Sequence, residues 1–274
     1  MIVETAPAKL NLALHVRARR EDGYHELETL FAFAADGDLL HVVPAPQPAF
    51  SIVGPFAEGL DATADNLVIR ARDAFVARFG PVAPLAITLD KRLPVASGIG
   101  GGSADAAAML RVLARMNGVA LDDEGLLAVA LAIGSDVPAC LLGRTTIGRG
   151  RGEALAEVAG VPGCPVLLVN PGVALSTRAV FAGWDGIDRG PLPDGDALDV
   201  ARRGRNDLQP AACALVPPID RVLDELAVDA MLARMSGSGA TCFGLYEDGA
   251  ARTLAAARVR ERHPTWWCLE TALV

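Results

Sequence analysis

The amino-acid sequence predicts an α+β protein of two lobes, and three observations carry that expectation. Apolar residues alternate with polar ones near the N-terminus. Four glycines in five positions (Gly98, Gly100, Gly101 and Gly102) run into an alanine-rich helical pattern. Beyond residue 160, strand-like and helix-like segments succeed one another around a second glycine turn. The expected organisation is a β-rich N-terminal lobe with a glycine-rich loop (residues 1–159) and an α+β C-terminal lobe (residues 160–274), with the active site in the cleft between them.

Each element has its own local reason. Leu10, Leu12, Leu14 and Val16 alternate with Asn11, Ala13, His15 and Arg17, which predicts a half-buried strand whose polar face carries Lys9, Asn11 and His15. A turn at Glu21-Asp22-Gly23 precedes strands expected at 28–33 and around 39–43, and residues 44–64, rich in Pro and Gly, read as a loop with one short strand. Asp65 is the expected cap of a helix burying Leu67, Val68, Ala71, Ala74 and Phe75. Leu85, Ile87 and Leu89 mark the strand that leads to the glycines. Asp122 is the expected cap of a helix at 124–133, and residues 134–138 end it and start another turn of helix. Residues 145–155 read as a strand and tight turn, and 160–165 as the lobe boundary. A buried strand at 166–169, a helix capped by Ser176, a loop at 184–196 and short helices near 206–208 and 219–226 follow. Strands at 230–235 and 241–246 flank the turn at 236–239, and a helix at 250–262 and a strand at 266–273 close the chain.

Composition narrows the function classes. Acidic residues outnumber basic ones by 33 − 25 = 8, and a net charge of −8 argues against broad nucleic-acid or membrane-surface binding. Five cysteines, widely spread and without C-x-x-C, indicate neither a disulfide framework nor a zinc site, and read as reduced thiols, mostly buried. The N-terminus lacks an apolar signal-like stretch and no apolar run is long enough to span a bilayer, so the expected location is cytoplasmic. The expected assembly is a monomer or weak homodimer. Lys9 stands out because only it and Lys91 are lysines among 25 basic residues.

The glycine segment is the chemical signal. Glycine reaches positive φ without penalty and lets backbone approach a ligand, and Ser103 and Asp105 are natural first-turn residues for the following helix. A helix N-terminus with unpaired N–H groups and a positive dipole end favours phosphate. Two other phosphate loops are excluded by spelling: no Gly-Lys pair occurs for a G-x-x-x-x-G-K-[ST] loop, and Ser103 stands where G-x-G-x-x-G needs glycine. The remaining alternative is a flexible glycine turn.

The run Pro94-Val95-Ala96-Ser97-Gly98-Ile99-Gly100-Gly101-Gly102-Ser103-Ala104 resembles the ATP-binding motif of the GHMP kinases, and three further segments match in order. Pro7-Ala-Lys9-Leu-Asn11 resembles a motif that places a lysine in the active site, Gly134-Ser-Asp136-Val-Pro138 one that supplies a catalytic carboxylate, and residues 235–243 a glycine turn packed on the phosphate loop. Without the resemblance, Lys9 reads as a solvated charge, Asp136 as a helix cap, and Tyr24, His25 and Phe181 as core or locally bonded residues. The resemblance implies ATP and magnesium, Lys9 and Asp136 as catalytic residues, and Asn66 on the adenine side. It also implies a cytidylated sugar-alcohol substrate, with Asn11 and Thr177 near it, Tyr24 and Phe181 on the faces of the base and His25 at its edge. Departures are Ile99 for the usual Leu and Ala104 for a second Ser. A homoserine- or mevalonate-type kinase, or a catalytically silent nucleotide sensor on the same fold, are the alternatives.

Overall fold

Two long strands open the chain: β1 (Ile2–Arg19) and β2 (His25–Pro44), which pair with each other. This computed structural model describes residues 1–63 and 65–274, so Ala64, at the end of the expected loop, lies outside the described residues. The strand at 10–16 is present but not half-buried. Every residue from Ala8 to Val16 is buried, so Lys9, Asn11 and His15 are not on a solvated face and instead make hydrogen bonds inside the protein. The strands expected at 28–33 and 39–43 are a single strand. Gly37 makes no turn between them; it lies where β1 passes so close that a β-carbon would stand 2.7 Å from Pro7 Cα.

β3 (Ala49–Val53) is the short strand of the loop, and α1 (Leu67–Phe79) follows. Its cap is Asn66, not Asp65: Asn66 has the extended backbone of a cap, and its Oδ1 accepts from Val68 N at 3.0 Å. The buried face is Val68, Ile69, Ala71 and Phe75, while Leu67 and Ala74 are half-buried. β4 (Leu85–Asp90) leads to the glycine segment and α2 (Gly101–Asn117); α3 (Glu124–Ile133) and α4 (Val137–Leu142) come next. The cap of α3 is Asp123, one residue beyond the expected Asp122, with Leu126 N donating to it at 3.0 Å. β5 (Thr146–Gly150) is the expected strand, and past the expected tight turn a further strand, β6 (Ala154–Glu157), pairs with it antiparallel.

The remaining elements are β7 (Pro165–Asn170), α5 (Thr177–Ala182), α6 (Ala197–Arg203), α7 (Gln209–Leu215), α8 (Pro218–Ala227), β8 (Leu232–Met235), β9 (Cys242–Leu245), α9 (Gly249–Arg262) and β10 (Trp267–Ala272). Ser176 caps α5 as expected. Helix α6 is an addition, capped by Asp196. The short helix expected near 206–208 is α7, which starts just after them with Leu208 at its cap position; ahead of it Asn206 Oδ1 accepts from Leu208 N. All five cysteines are free; Cys140 and Cys242 are buried and the other three half-buried. Among the described residues no helix is long and apolar enough to cross a membrane.

Compactness groups the chain into two units interleaved in sequence, whereas the expected lobe boundary at 159/160 is a single division along the sequence. The first unit comprises Met1–Ala8, Asp36–Val95 and Gly100–Gly143, the second Lys9–Ala35, Ala96–Ile99 and Arg144–Val274. In the first, β3 runs parallel to β4, and β4 antiparallel to the second half of β2. Helix α2 packs on α1 and α4, its run of buried alanines allowing close approach. Arg111 on α2 donates to Glu4 Oε1 at 2.6 Å, and to the carbonyls of Cys140 and Thr5 at 2.7 Å each.

In the second unit the first half of β2 pairs with β5, and a separate antiparallel sheet has the order β10-β7-β9-β8. Its core includes Leu14, Val169, Val180, Leu208, Met235 and Val259. Buried Arg234 on β8 donates to the carbonyls of Leu12 (2.5 Å), Ala201 (2.6 Å) and Gly204 (2.7 Å). Desolvation lowers its pKa to about 10, which still leaves the guanidinium charged at neutral pH. Arg234→Met leaves three buried carbonyls without their donor, at roughly 1–3 kcal/mol each, partly offset by relief of the buried charge. The expected net loss is about 3 kcal/mol of unfolding free energy, read as a lower urea midpoint; an unchanged midpoint would mean that those carbonyls find other donors.

Candidate active site

The polar residues of β1 form a directional chain of hydrogen bonds. Lys9 is buried, and its Nζ donates to Asn11 Oδ1 at 2.7 Å; Asn11 Nδ2 donates to Thr29 Oγ1 at 2.7 Å, and Thr29 Oγ1 donates to Ala13 O at 2.8 Å. Because an ammonium only donates, Asn11 must present its oxygen to Lys9 and its amide nitrogen to Thr29. The ammonium also lies 5.4 Å from the centre of the Phe31 ring. Asn11 therefore orients the lysine.

The same strand is stitched to both glycine turns. Lys9 N donates to Ile99 O at 2.9 Å, and Asn11 N to Ser236 Oγ at 3.2 Å; Ser236 Oγ donates to Gly98 O at 3.1 Å, and Thr241 N to Ser97 O at 3.0 Å. Gly98 and Gly237 both have positive φ, 78° and 54°. A β-carbon on Gly98 would stand 2.6 Å from Gly239 N, and one on Gly237 2.6 Å from Gly98 O. The glycines are required by close approach as well as by backbone angle, and the second turn packs on the first as expected. Asn206, which sequence reasoning placed only in a short helix, donates from Nδ2 to Met235 O and Gly237 O at 2.8 Å each.

The second half of the glycine segment starts α2. Its cap is Gly100, left-handed at φ 66°, and no side chain caps the helix. Ser103 and Asp105 therefore do not serve as caps: Ser103 is half-buried, and Asp105 turns inward to a buried ion pair with Lys91. Gly102 is exposed, so the first turn is an accessible helix N-terminus of the kind that binds anions. Pro94 and Ser97 are buried, while Val95 and Ala96 are exposed. Ala104 is buried in α2, as is Ile99 in the loop.

Asp136 occupies the cap position of α4, but its side chain makes no cap bond. The alternative of a helix-capping carboxylate is thus not what its side chain does. It is half-buried, beside the positive end of that helix. Asn66 is engaged at α1, donating from Nδ2 to Asp61 O at 3.1 Å in addition to its cap bond.

His25, Phe181 and Trp184 form an aromatic cluster. The His25 ring lies 4.9 Å from Phe181, tilted by 38°, and 5.6 Å from Trp184, edge-on at 82°. Burial, with Arg19 adding to it, lowers the His25 pKa, which favours the neutral ring. Its Nε2 is buried without a hydrogen-bond partner, as is Trp184 Nε1. Tyr24 is exposed and carries the Arg151 guanidinium 4.9 Å from its ring centre. Thr177 Oγ1 lies 2.9 Å from Ser238 Oγ, joining α5 to the second glycine turn. Trp184 and Arg151 escaped the sequence reading. The one available signal was spacing: Trp184 follows Phe181 by three residues, one helical turn.

The chain matches two family models, the GHMP kinases N terminal domain over residues 66–144 and the GHMP kinases C terminal over residues 194–265. It is 52% identical to the 4-diphosphocytidyl-2-C-methyl-D-erythritol kinase of Rhizorhabdus wittichii over 98% of this chain and 94% of that one. It is 51% identical to the protein of the same name from Sphingopyxis alaskensis, over 98% of each. A crystal structure of 4-(cytidine 5'-diphospho)-2C-methyl-D-erythritol kinase superposes with a TM-score of 0.84 at 36% identity, over 99% of both chains. A homoserine kinase from Cytophaga hutchinsonii shares the fold with a TM-score of 0.74, but only 17% identity, over 98% of this chain and 93% of that one. The chain belongs to the GHMP kinases and, within them, to the family of the 4-diphosphocytidyl-2-C-methyl-D-erythritol kinases. Such a kinase uses ATP as co-substrate.

The Ser236 hydroxyl is the joint between β1 and the two turns. Ser236→Ala removes the acceptor of buried Asn11 N and the donor to half-buried Gly98 O, at roughly 1–3 kcal/mol for the first and less for the second. Calorimetry is expected to show a thermal midpoint lower by several degrees; an unchanged midpoint would show the joint to be energetically idle.

Proposed function

We propose that this chain transfers the γ-phosphate of ATP to the 2-hydroxyl of 4-diphosphocytidyl-2-C-methyl-D-erythritol, in non-mevalonate isoprenoid precursor synthesis. The observation that carries this reading is the hydrogen-bonded stitching of Lys9 and Asn11 to Ile99, Ser236 and Gly98, because it joins the strand with the candidate cation to both glycine turns. In this reading the phosphates lie along Pro94, Val95, Ala96, Ser97, Gly98, Ile99, Gly100, Gly101, Gly102, Ser103 and Ala104, where backbone N–H groups and the positive end of α2 meet them. Asn66 stands on the adenine side.

The chemistry is division of labour around one displacement. The substrate oxygen forms the new bond to the γ-phosphorus, the bond from that phosphorus to the bridging oxygen breaks, and ADP leaves. Asp136 takes the hydroxyl proton as general base. Lys9 supplies a fixed, desolvated positive charge for the transferred group, aimed by Asn11. Tyr24 and Phe181 hold the cytosine faces, His25 reads its edge, and Thr177 lies near the substrate. Magnesium neutralises phosphate charge in such reactions. Among the described residues no group of three or more His, Cys, Asp or Glu side chains could hold a metal ion. A cytoplasmic location, a lobe boundary at 159/160 and a monomer or weak homodimer belong to the same reading.

Asp136→Asn keeps the size of the side chain and removes the base. Turnover is expected to fall about 10²–10⁴-fold with ATP binding retained; near-wild-type turnover of the folded variant would remove Asp136 from that role. Substrate choice is tested separately. Cytosine offers an amino donor beside the N3 acceptor and uracil reverses that pattern, so the uridine analogue is expected to lose on the order of 10–100-fold in kcat/KM. Equal turnover of the two would reduce the reading to a GHMP kinase with another acceptor.

A further inference from the structure

Beneath the start of α2 lies a cluster that the reaction does not use directly. Asp38, Lys91 and Asp105 are all buried, at 0%, 3% and 3% exposure. Lys91 Nζ donates to Asp38 Oδ2 at 2.5 Å and to Asp105 Oδ2 at 2.7 Å. The other oxygen of Asp38 accepts from Arg92 N at 2.6 Å and Leu93 N at 2.8 Å. One carboxylate–ammonium–carboxylate array thus holds the chain where it leaves β4, at 91–93, and again at Asp105 in the second turn of α2. Those two points bracket the glycine segment.

A second observation ties the array to the helix start. Gly101 is the first residue of α2, and a β-carbon there would lie 3.1 Å from Lys91 Nζ and 3.6 Å from Asp38 Oδ2. The φ of Gly101 is not in the left-handed region, so space, not backbone angle, favours glycine here. The ammonium sits directly under the turn whose N–H groups point to the nucleotide in the reading above.

Buried ion pairs are poor investments in stability, since desolvation offsets most of the attraction and an apolar cluster of equal volume does as well. They do impose direction and distance. Asp105 retains one oxygen, Oδ1, without a hydrogen-bond partner, and burial raises its pKa to about 7 against the opposing pull of Lys91. That cost is unexplained by packing alone.

We infer that Asp38, Lys91 and Asp105 are positioning residues that clamp the start of the glycine segment to its end and so hold the first turn of α2 in the geometry that receives the phosphates of ATP. The inference rests on the nucleotide reading of that loop but not on the identity of the acceptor. Its signature is selective: preorganisation of the loop governs nucleotide affinity and leaves the alcohol substrate's site alone.

The test is ATP binding by the full chain without acceptor, together with kcat and both KM values, for wild type, Asp105→Ala and Asp105→Asn. Asn keeps an oxygen for Lys91 and Ala does not. Asp105→Ala is expected to weaken ATP binding about tenfold and raise the ATP KM in step, with the acceptor KM and kcat within about twofold. Asp105→Asn is expected to recover most of that loss, and if the alanine variant does not fold, Asp105→Leu, which fills the space without an oxygen for Lys91, takes its place with the same expected loss. Unchanged ATP affinity in a folded Asp105→Ala protein, or in a folded Asp105→Leu protein alongside an unfolded alanine variant, would overturn the clamp. So would parallel losses in ATP and acceptor KM that track a lowered thermal midpoint, the mark of a merely structural pair. Wild type that fails to bind ATP would overturn the nucleotide reading first, and the clamp with it.

Discussion

The hydroxyl of Ser236 is the contact on which the second unit's polar architecture depends. It accepts from Asn11 N and donates to Gly98 O, so one oxygen sets the separation of three chain segments that are far apart in sequence. At that separation neither Gly98 nor Gly237 has room for a β-carbon. Glycine recurs in both turns because the backbones touch. Flexibility would be a poor explanation, since these turns make a dense set of hydrogen bonds and sit in a left-handed conformation that only glycine adopts cheaply.

Burial converts the polar residues of β1 from surface decoration into a wire of fixed polarity. On a solvated strand, Lys9 would sample many rotamers and its charge would be screened. Held by Asn11, which is itself held by Thr29, it is a charge of defined position in a low-dielectric surrounding, where any electrostatic interaction it makes is strong. His15 shows the same principle in a structural role. Its Nδ1 faces Gly190 O at 3.1 Å while its Nε2 accepts from Arg205 N at 3.2 Å, which requires the neutral ring, and burial lowers its pKa accordingly.

His25 is the counterpart without such partners. It lies against Phe181 and Trp184, with Nε2 buried and unpaired, next to an equally unpaired Trp184 Nε1. Unsatisfied polar atoms in a cluster of aromatic rings carry a real cost in desolvation.

Local pattern was enough to read most elements, because strand alternation, helix periodicity and turn residues act over a few neighbours. The strands at β4 and β5, the helix–turn–helix at 134–138 and the final helix and strand all follow from spacing of that range. The caps of α1 and α3 lie one residue beyond the first candidate, since Asp65-Asn66 and Asp122-Asp123 each offer two competent side chains and only the backbone angles choose. The family was likewise legible from the four motifs. Tertiary structure decided what those residues touch. Whether β1 has a solvated face depends on what covers it, and whether 28–43 is one strand or two depends on β1 passing Gly37. The Asp38–Lys91–Asp105 array, the placement of Trp184 beside His25 and the grip of Asn206 on the second glycine turn join residues from 14 to 159 positions apart. No periodicity reaches so far; burial and hydrogen bonding between distant segments exist only once the chain has closed on itself.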